Sequence, residues 1–225
     1  MADAADPDGI EAGRAAWYEL LSALFYRAPS PDLYAQLRAA PRSTPDADTE
    51  LMVAWHALLD VVDRLSRARV EAEYDTLFGG VGRPDIYLFG SHHLAGFLNE
   101  KPLVDLRDDL RSFGLERSDR VLETEDHIAC LLGSMQQLIA DEGVEGLQRN
   151  EDGATAGTAD LALDRQHTLF RRHIASWSDT LCELVSKHPK AEFYARLADL
   201  LVVFVAIERQ AFEMMELNTD SSTKN

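Results

Sequence analysis

Cysteine is nearly absent: Cys130 and Cys182 are the only two in 225 residues, each set among apolar residues of a predicted helix. That scarcity excludes a disulfide framework and a cysteine-based zinc site, and it predicts two buried thiols. Lysine is almost as rare, with Lys101, Lys187, Lys190 and Lys224 alone, and the formal net charge is −17 at pH 7. Reading a phosphate backbone needs clustered lysine and arginine, so nucleic acid is excluded as the main partner. Long apolar runs are missing too. The longest, 200–207, is bracketed by Asp199 and Glu208 and falls far short of the ~20 residues that a membrane span needs, so no membrane insertion is expected. It reads as a core helix buried all round. Residues 1–13 are acidic and lack the basic and apolar regions of a secretory leader, which predicts a cytoplasmic protein. Strand-like alternation over four or more residues does not occur, and neither does a repeat of fixed period.

What is present is helical periodicity. Hydrophobic residues make up 46% of the chain, enough for a large core without staples. A first helix is predicted over 10–26, with Trp17, Leu20, Leu21, Leu24 and Phe25 inward, and Pro29 stops it. Ser30-Pro31-Asp32 supplies an N-cap followed by Pro at the first helical position, and a short helix runs from there through Leu37. A loop over 42–48 leads into an amphipathic helix over 49–68, and a further helix carries Tyr74, Leu77 and Phe78 into Gly79-Gly80. Ser91 is expected to cap a helix over 92–100, Pro102 opens one that ends at Gly114, and another ends near Asp141. Residues 143–158 read as a mobile loop, and two long helices follow over 160–187 and 189–216. The expectation is an all-α, single-domain helical bundle of roughly ten helices over 1–225, frayed at 1–9 and 217–225.

The most informative stretch is Glu123-Thr124-Glu125-Asp126-His127, followed by Ile128, Leu131, Leu132, Met135, Leu138 and Ile139. Those apolar positions form one stripe of a 3.6-residue helix, which puts the charged head on the helix's first turn. There Asp and Glu meet the positive end of the helix dipole, and Thr124 can cap free N–H groups. A well-capped helix start would look the same. Other chemistry is poorly supported. The Gly79 to Gly90 stretch lacks a Lys-Ser/Thr and follows a helix, unlike a phosphate-cradling loop. His92 and His93 are adjacent on a helix and point about 100° apart, which keeps both rings off one ion. Asp126-His127 reverses the order used by His-Asp metal phosphohydrolases, and no His pair or Ser elbow of a known hydrolase is present. Phe170, Trp177, Phe193, Tyr194, Phe204 and Phe212 read as core.

Several landmarks appear in order along the chain. Tyr74-Asp75-Thr76-Leu77-Phe78 precedes a Pro-containing loop; Gly90 to Leu103 follows it; Glu123 to His127 comes next; Phe170, His173, Trp177 and Phe193-Tyr194 lead into the last apolar helix. In this order the chain resembles the TorD/DmsD/NarJ family of redox-enzyme maturation chaperones, with Glu123 to His127 matching the family's Glu-Pro-x-Asp-His hallmark and Thr124 replacing its Pro. The resemblance implies an all-helical cytoplasmic chaperone, not an enzyme, with no catalytic residue, resident metal or cofactor. Its partner would be the catalytic subunit of a molybdenum or tungsten (molybdopterin) oxidoreductase, bound through its twin-arginine signal peptide or in its apo form, and held from export until the cofactor is inserted. By position, Glu123, Asp126 and His127 would recognise the peptide, with Tyr87, Ser91, His92 and His93 beside them. A helical metal-dependent hydrolase and an acidic interaction adaptor stay open as alternatives. So do the client, a bound pterin or nucleotide, a helix-exchanged homodimer, and a high-salt origin for the acidity.

Overall fold

Serine and threonine hydroxyls start the early helices. In the computed structural model, which describes residues 7–42, 49–79, 83–118, 121–152 and 157–222, α1 spans Pro7–Tyr26 and α2 spans Pro31–Ala39. The Ser30 hydroxyl accepts the Leu33 N–H at 3.2 Å, and Pro31 takes the first helical position, where a missing N–H costs nothing. The same device opens α3 (Glu50–Arg64), where Thr49 accepts from Met52, and α4 (Arg67–Leu77), where Ser66 accepts from Arg69. Then come α5 (Gly90–Ala95), α6 (Lys101–Ser112), α7 (Ile128–Asp152), α8 (Gly157–Leu169), a π-helical turn at Phe170–Ile174, α9 (Ser178–Ser186) and α10 (Phe193–Ser222). Among the described residues there are ten α-helices and no β-strand, so the all-α class is what the periodicity predicts.

The described chain divides into two compact units, each made from two stretches of sequence. The first unit takes the chain up to Tyr26 together with Phe89–Ser176, which is α1, α5 to α8 and the π-helical turn. Here α1 packs against α7. Each helix buries one stripe: Tyr18, Leu21, Leu24 and Phe25 on α1, and Ile128, Leu131, Leu132 and Met135 on α7. The Ser22 hydroxyl donates to the Ala129 carbonyl at 2.7 Å, and a methyl at Gly133 would lie 3.4 Å from the Ser22 oxygen, so small residues set this close approach.

The second unit takes Arg27–Leu88 and the chain from Trp177 onward, which is α2 to α4, α9 and α10. α10 packs against α3, α4 and α9, and α2 against α3, where the Tyr34 hydroxyl donates to the Val62 and Leu65 carbonyls. Its longest helix starts without a local hydroxyl. The buried Glu73 carboxylate of α4 accepts N–H groups from Glu192 (2.9 Å), Phe193 (3.1 Å) and Tyr194 (2.8 Å), covering the positive end of α10 from 119 to 121 residues away. Around that cap, the Tyr194 ring lies 5.5 Å from Tyr74 and 5.1 Å from Phe78. Two landmarks of the sequence thus meet in one aromatic cluster.

Several boundaries differ from the sequence reading. The expected helix over 160–187 is broken by the π-helical turn, closed by the Ala175 N–H on the Phe170 carbonyl at 2.8 Å; the extra residue in the turn buries Phe170, His173 and Ile174 together. The helix expected from Pro189 begins at Phe193 instead, because Glu73 supplies the cap there. Within the predicted loop over 143–158, α7 continues to Asp152, in a segment of helix-favouring Glu, Gln, Arg and Leu, and α8 starts at Gly157; residues 153–156 lie outside the described residues. The helix expected over 92–100 is α5, ended at Gly96, whose φ of 84° only glycine adopts cheaply. The run 200–207 is not buried all round: Val202 and Ile207 face outward, as one side of a bundle helix must. Of the ends expected to fray, 7–9 are helical, α10 continues to Ser222, and 1–6 and 223–225 lie outside the described residues, as do 43–48 of the predicted loop over 42–48.

Truncating Glu73 leaves three N–H groups, two of them in buried bonds, without their acceptor. Glu73→Ala is expected to lower stability by about 3 kcal/mol, with Glu73→Gln between it and the wild type because one acceptor oxygen remains. Urea denaturation followed by circular dichroism checks this, and equal midpoints for all three proteins would contradict it.

Candidate functional site

The stretch from Glu123 to His127 forms a turn immediately before α7 rather than its first helical turn. The His127 N–H donates to the Thr124 carbonyl at 3.0 Å. His127 is the residue that starts the helix: its carbonyl accepts the Leu131 N–H at 3.0 Å and its ring Nδ1 accepts the Ala129 N–H at 3.2 Å. Thr124, expected to cap α7, instead donates its hydroxyl to Asp126 Oδ1 at 2.6 Å. The second oxygen of Asp126 accepts the Ser91 N–H at 2.8 Å, and the Asp126 carbonyl accepts the Gly90 N–H at 2.9 Å. Asp126 therefore caps α5 from 35 residues away, and an antiparallel bridge between Phe89 and His127 fixes the same junction. Ser91, expected as that cap, lies inside α5, and its hydroxyl oxygen accepts the Asn99 N–H at 3.2 Å.

Burial decides what these groups can do. Asp126 and His127 are each 3% exposed. The His127 ring sits edge-on to Phe89 (5.0 Å between centroids) and Tyr26 (6.1 Å). Burial pushes its pKa down to about 4, with the Asp126 charge opposing part of the shift, so the ring is neutral at pH 7 and its Nδ1 can accept. Glu125 is clamped by Arg107 of α6 through two bonds to one oxygen, at 3.0 and 2.8 Å. Burial acts to raise the Glu125 pKa, yet the Arg107 bonds and charge outweigh it and hold the carboxyl below its ordinary value. On α6 as well, Asp109 accepts from Arg172 and pairs with His173 at 2.6 Å, tying that helix to the π-helical turn.

Beside this turn lies a cavity of about 440 Å³ between α1, α7, the end of α6 and the segment that follows it. Its walls are mostly apolar or small: Ala23, Tyr26, Leu110, Leu115, Val121, Ala129, Cys130 and Gly133. Among the described residues, four carboxylates also line it, those of Glu19, Glu116, Glu123 and Glu125, against one guanidinium, Arg117. With Glu125 held by Arg107, three acidic groups remain for a ligand. Cys130, expected to be a buried thiol, is half-buried on this wall, and its surroundings push its pKa up to about 12, first by burial and then by the neighbouring carboxylates. It is a poor nucleophile. Cys182 is buried as expected.

Of the predicted site residues, the structure places Glu123 on the cavity wall and puts Asp126, His127 and Ser91 behind it, buried and hydrogen-bonded to one another's segments. His92 and His93 are half-buried on α5, their rings 5.6 Å apart and nearly perpendicular. Tyr87 belongs to the second unit, with the Arg83 guanidinium 5.8 Å over its ring. The wall supplied by α1 escaped the sequence reading. Its signal was there: Glu19, Ser22, Ala23 and Tyr26 fall at i, i+3, i+4 and i+7, a second helical stripe beside the core stripe, and Ala129, Gly133 and Gln136 echo it on α7. Among the described residues no three His, Cys, Asp or Glu side chains are grouped so as to hold a metal ion, and no helix is long and apolar enough to cross a membrane.

Comparison with known proteins adds to this geometry. The family described as "Nitrate reductase delta subunit" matches residues 44–183, more than half of the chain. A protein named "Chaperone protein TorD" from Aliivibrio fischeri is 26% identical over 166 residues, covering 71% of this chain and 74% of that protein. Proteins of the same name from Vibrio parahaemolyticus (23% over 168 residues, covering 70% and 73%) and Vibrio cholerae (23% over 211 residues, covering 89% and 92%) are also similar.

The neutral His127 ring makes stability depend on pH. Its pKa is 6.5 when unfolded and about 4 when folded, so between those values the unfolded chain binds the extra proton. Its contribution is complete above the unfolded value and is lost as pH falls through that window, by about 2 kcal/mol from pH 7 to pH 5. His127→Asn keeps a cap acceptor that does not titrate, so it is expected to flatten this part of the stability profile while lowering stability at pH 7 through lost ring packing. Denaturation at the two pH values measures the difference, and parallel profiles would contradict it.

Proposed function

Because the chain belongs to the nitrate reductase delta subunit family, we propose that it is a cytoplasmic maturation chaperone for a redox enzyme and performs no covalent chemistry of its own. Its client is the catalytic subunit of a molybdenum or tungsten oxidoreductase, bound through a twin-arginine signal peptide or as the apo form and kept from export until cofactor insertion and assembly are complete. The observation that carries this reading is the cavity beside the 123–127 turn, apolar along its walls and acidic at Glu19, Glu116 and Glu123. A twin-arginine leader has the complementary order, a basic stretch followed by an apolar one.

The magnitudes fit a client that must be released. Two or three Leu-sized side chains buried in the cavity contribute roughly 3–9 kcal/mol. Ordering a flexible peptide costs about 2–5 kcal/mol, which leaves apolar contact too weak alone. Charge-assisted bonds from arginine to Glu123 and Glu19, on the order of 1.5–3 kcal/mol each, bring the total toward about −8 kcal/mol, a micromolar complex. The net charge of −17 speeds the approach of a basic segment at low salt. Asp126 and His127 act one step back, holding the turn that presents Glu123.

Calorimetric titration with a synthetic peptide carrying two consecutive arginines and an apolar tail tests this reading. Glu123→Gln is expected to weaken binding about tenfold, to reduce its salt dependence and to leave the melting temperature unchanged. Asp126→Asn replaces a buried acceptor by a donor facing the Ser91 N–H or the Thr124 hydroxyl, so it is expected to lower the melting temperature. Absence of binding by the wild type, or identical titrations for wild type and Glu123→Gln, would overturn the assignment of the cavity.

A further inference from the structure

The Glu125 carboxylate lines the cavity and already has a cation. Arg107 of α6 places Nε and Nη2 on the same oxygen, Oε2, at 3.0 and 2.8 Å, and the residue's own N–H also bonds the carboxylate. Among the described residues Oε1 has no side-chain partner, unlike the fork-on-fork pair in which each oxygen takes one guanidinium N–H. The two partners are also unequally placed. The Glu125 side chain is 15% exposed on the cavity wall, whereas that of Arg107 is 41% exposed. A guanidinium so placed turns into water without the penalty of a buried charge. The carboxylate lacks that freedom, because its neighbours Thr124 and Asp126 are bonded to each other and Asp126 is bonded to Ser91. Parting the pair therefore moves Arg107 outward and leaves Glu125 on the wall.

We propose that Arg107 is an internal competitor for Glu125: it occupies one more recognition carboxylate beside Glu19, Glu116 and Glu123, and so holds the affinity of the cavity for a cationic segment in a releasable range. This rests on the peptide-binding reading of the same cavity. The competition is local, one carboxylate against two alternative cations, and does not depend on the total charge around the rim. A guanidinium from a ligand makes the same charge-assisted bonds that Arg107 makes, so the bond gained at Glu125 is offset by the bond broken, and the carboxylate adds little to affinity while Arg107 is present. Replacing Arg107 removes the offset. The helix that carries it keeps a second tie, since Asp109 bonds Arg172 and His173 of the π-helical turn.

A double-mutant cycle tests this, with wild type, Arg107→Gln, Glu125→Gln and the double variant each titrated with the synthetic two-arginine peptide. Arg107→Gln is expected to bind it about tenfold more tightly than the wild type does. In the Glu125→Gln background the same replacement is expected to change affinity by no more than about twofold, the general effect of removing a partly exposed, screened cation. Arg107→Lys keeps the charge and loses the two-bond grip, so it is expected to fall between wild type and Arg107→Gln, and it replaces the glutamine variant in the cycle if that variant does not fold. Equal changes in both backgrounds would overturn the proposal and make Arg107 a background charge. Weaker binding by Arg107→Gln with Glu125 present would overturn it as well, making Arg107 a strut that positions the turn. Failure of all the proteins to bind the peptide would remove the peptide-binding reading itself and the proposal with it.

Discussion

Two oxygens of one buried carboxylate organise the acidic end of the first unit. Asp126 is removed from water, which costs several kcal/mol unless its lone pairs are met. They are met by the Ser91 N–H and the Thr124 hydroxyl, while the Asp126 carbonyl takes the Gly90 N–H. The short helix α5, the turn before α7 and the start of α7 are therefore one hydrogen-bonded assembly. A six-residue helix has too few internal bonds to persist alone, so α5 exists because this carboxylate is in place.

The same assembly separates inward-facing from cavity-facing groups within five consecutive residues. Asp126 and His127 turn inward, to the backbone and the Thr124 hydroxyl, Glu125 turns to Arg107, and Glu123 is left to line the cavity. Alternation of this kind is what a turn produces and a helix does not, since in a helical first turn residues 123, 126 and 127 would share a face. The cavity itself depends on the small residues Ser22, Ala129 and Gly133, which let α1 and α7 approach closely at one level while Tyr26 and Leu110 wall the space beside it.

Local and remote caps explain which parts of this were legible in the sequence. Ser30 and Thr49 lie next to the helices that they start, and the reading placed both starts to within a residue, although the helix expected over 49–68 ends at Arg64 and Ser66 caps a separate one from Arg67. The starts of α5 and α10 were misplaced because Asp126 and Glu73 deliver their caps across 35 and about 120 residues, a relation that no local pattern records. The π-helical turn is of the same kind. What favours the extra residue there is burial of Phe170 and Ile174 and the reach of His173 to Asp109, all decided by packing. At the cavity, residue types pointed to the segment that lies beside it, since acidic residues beside an apolar stripe are visible in one dimension. Which carboxylate faces the cavity and which faces the backbone depends on a turn set by Thr124 and His127, and on α1, more than a hundred residues earlier.

Remote caps also change how the chain responds to damage. A serine cap acts within its own helix, so losing it costs that helix about 1 kcal/mol and little else. Asp126 and Glu73 each join two elements, and the loss of either leaves buried N–H groups of one element unpaired while freeing the other from its partner. Helix starts of this sort form only when the tertiary structure has formed, which couples secondary structure to packing in both units separately. For an acidic protein that coupling has a further use. Carboxylates consumed as caps stand on positive helix ends and are withdrawn from the surface, so those left on the cavity wall at Glu19, Glu116 and Glu123 are the ones that the proposed reading assigns to a cationic segment.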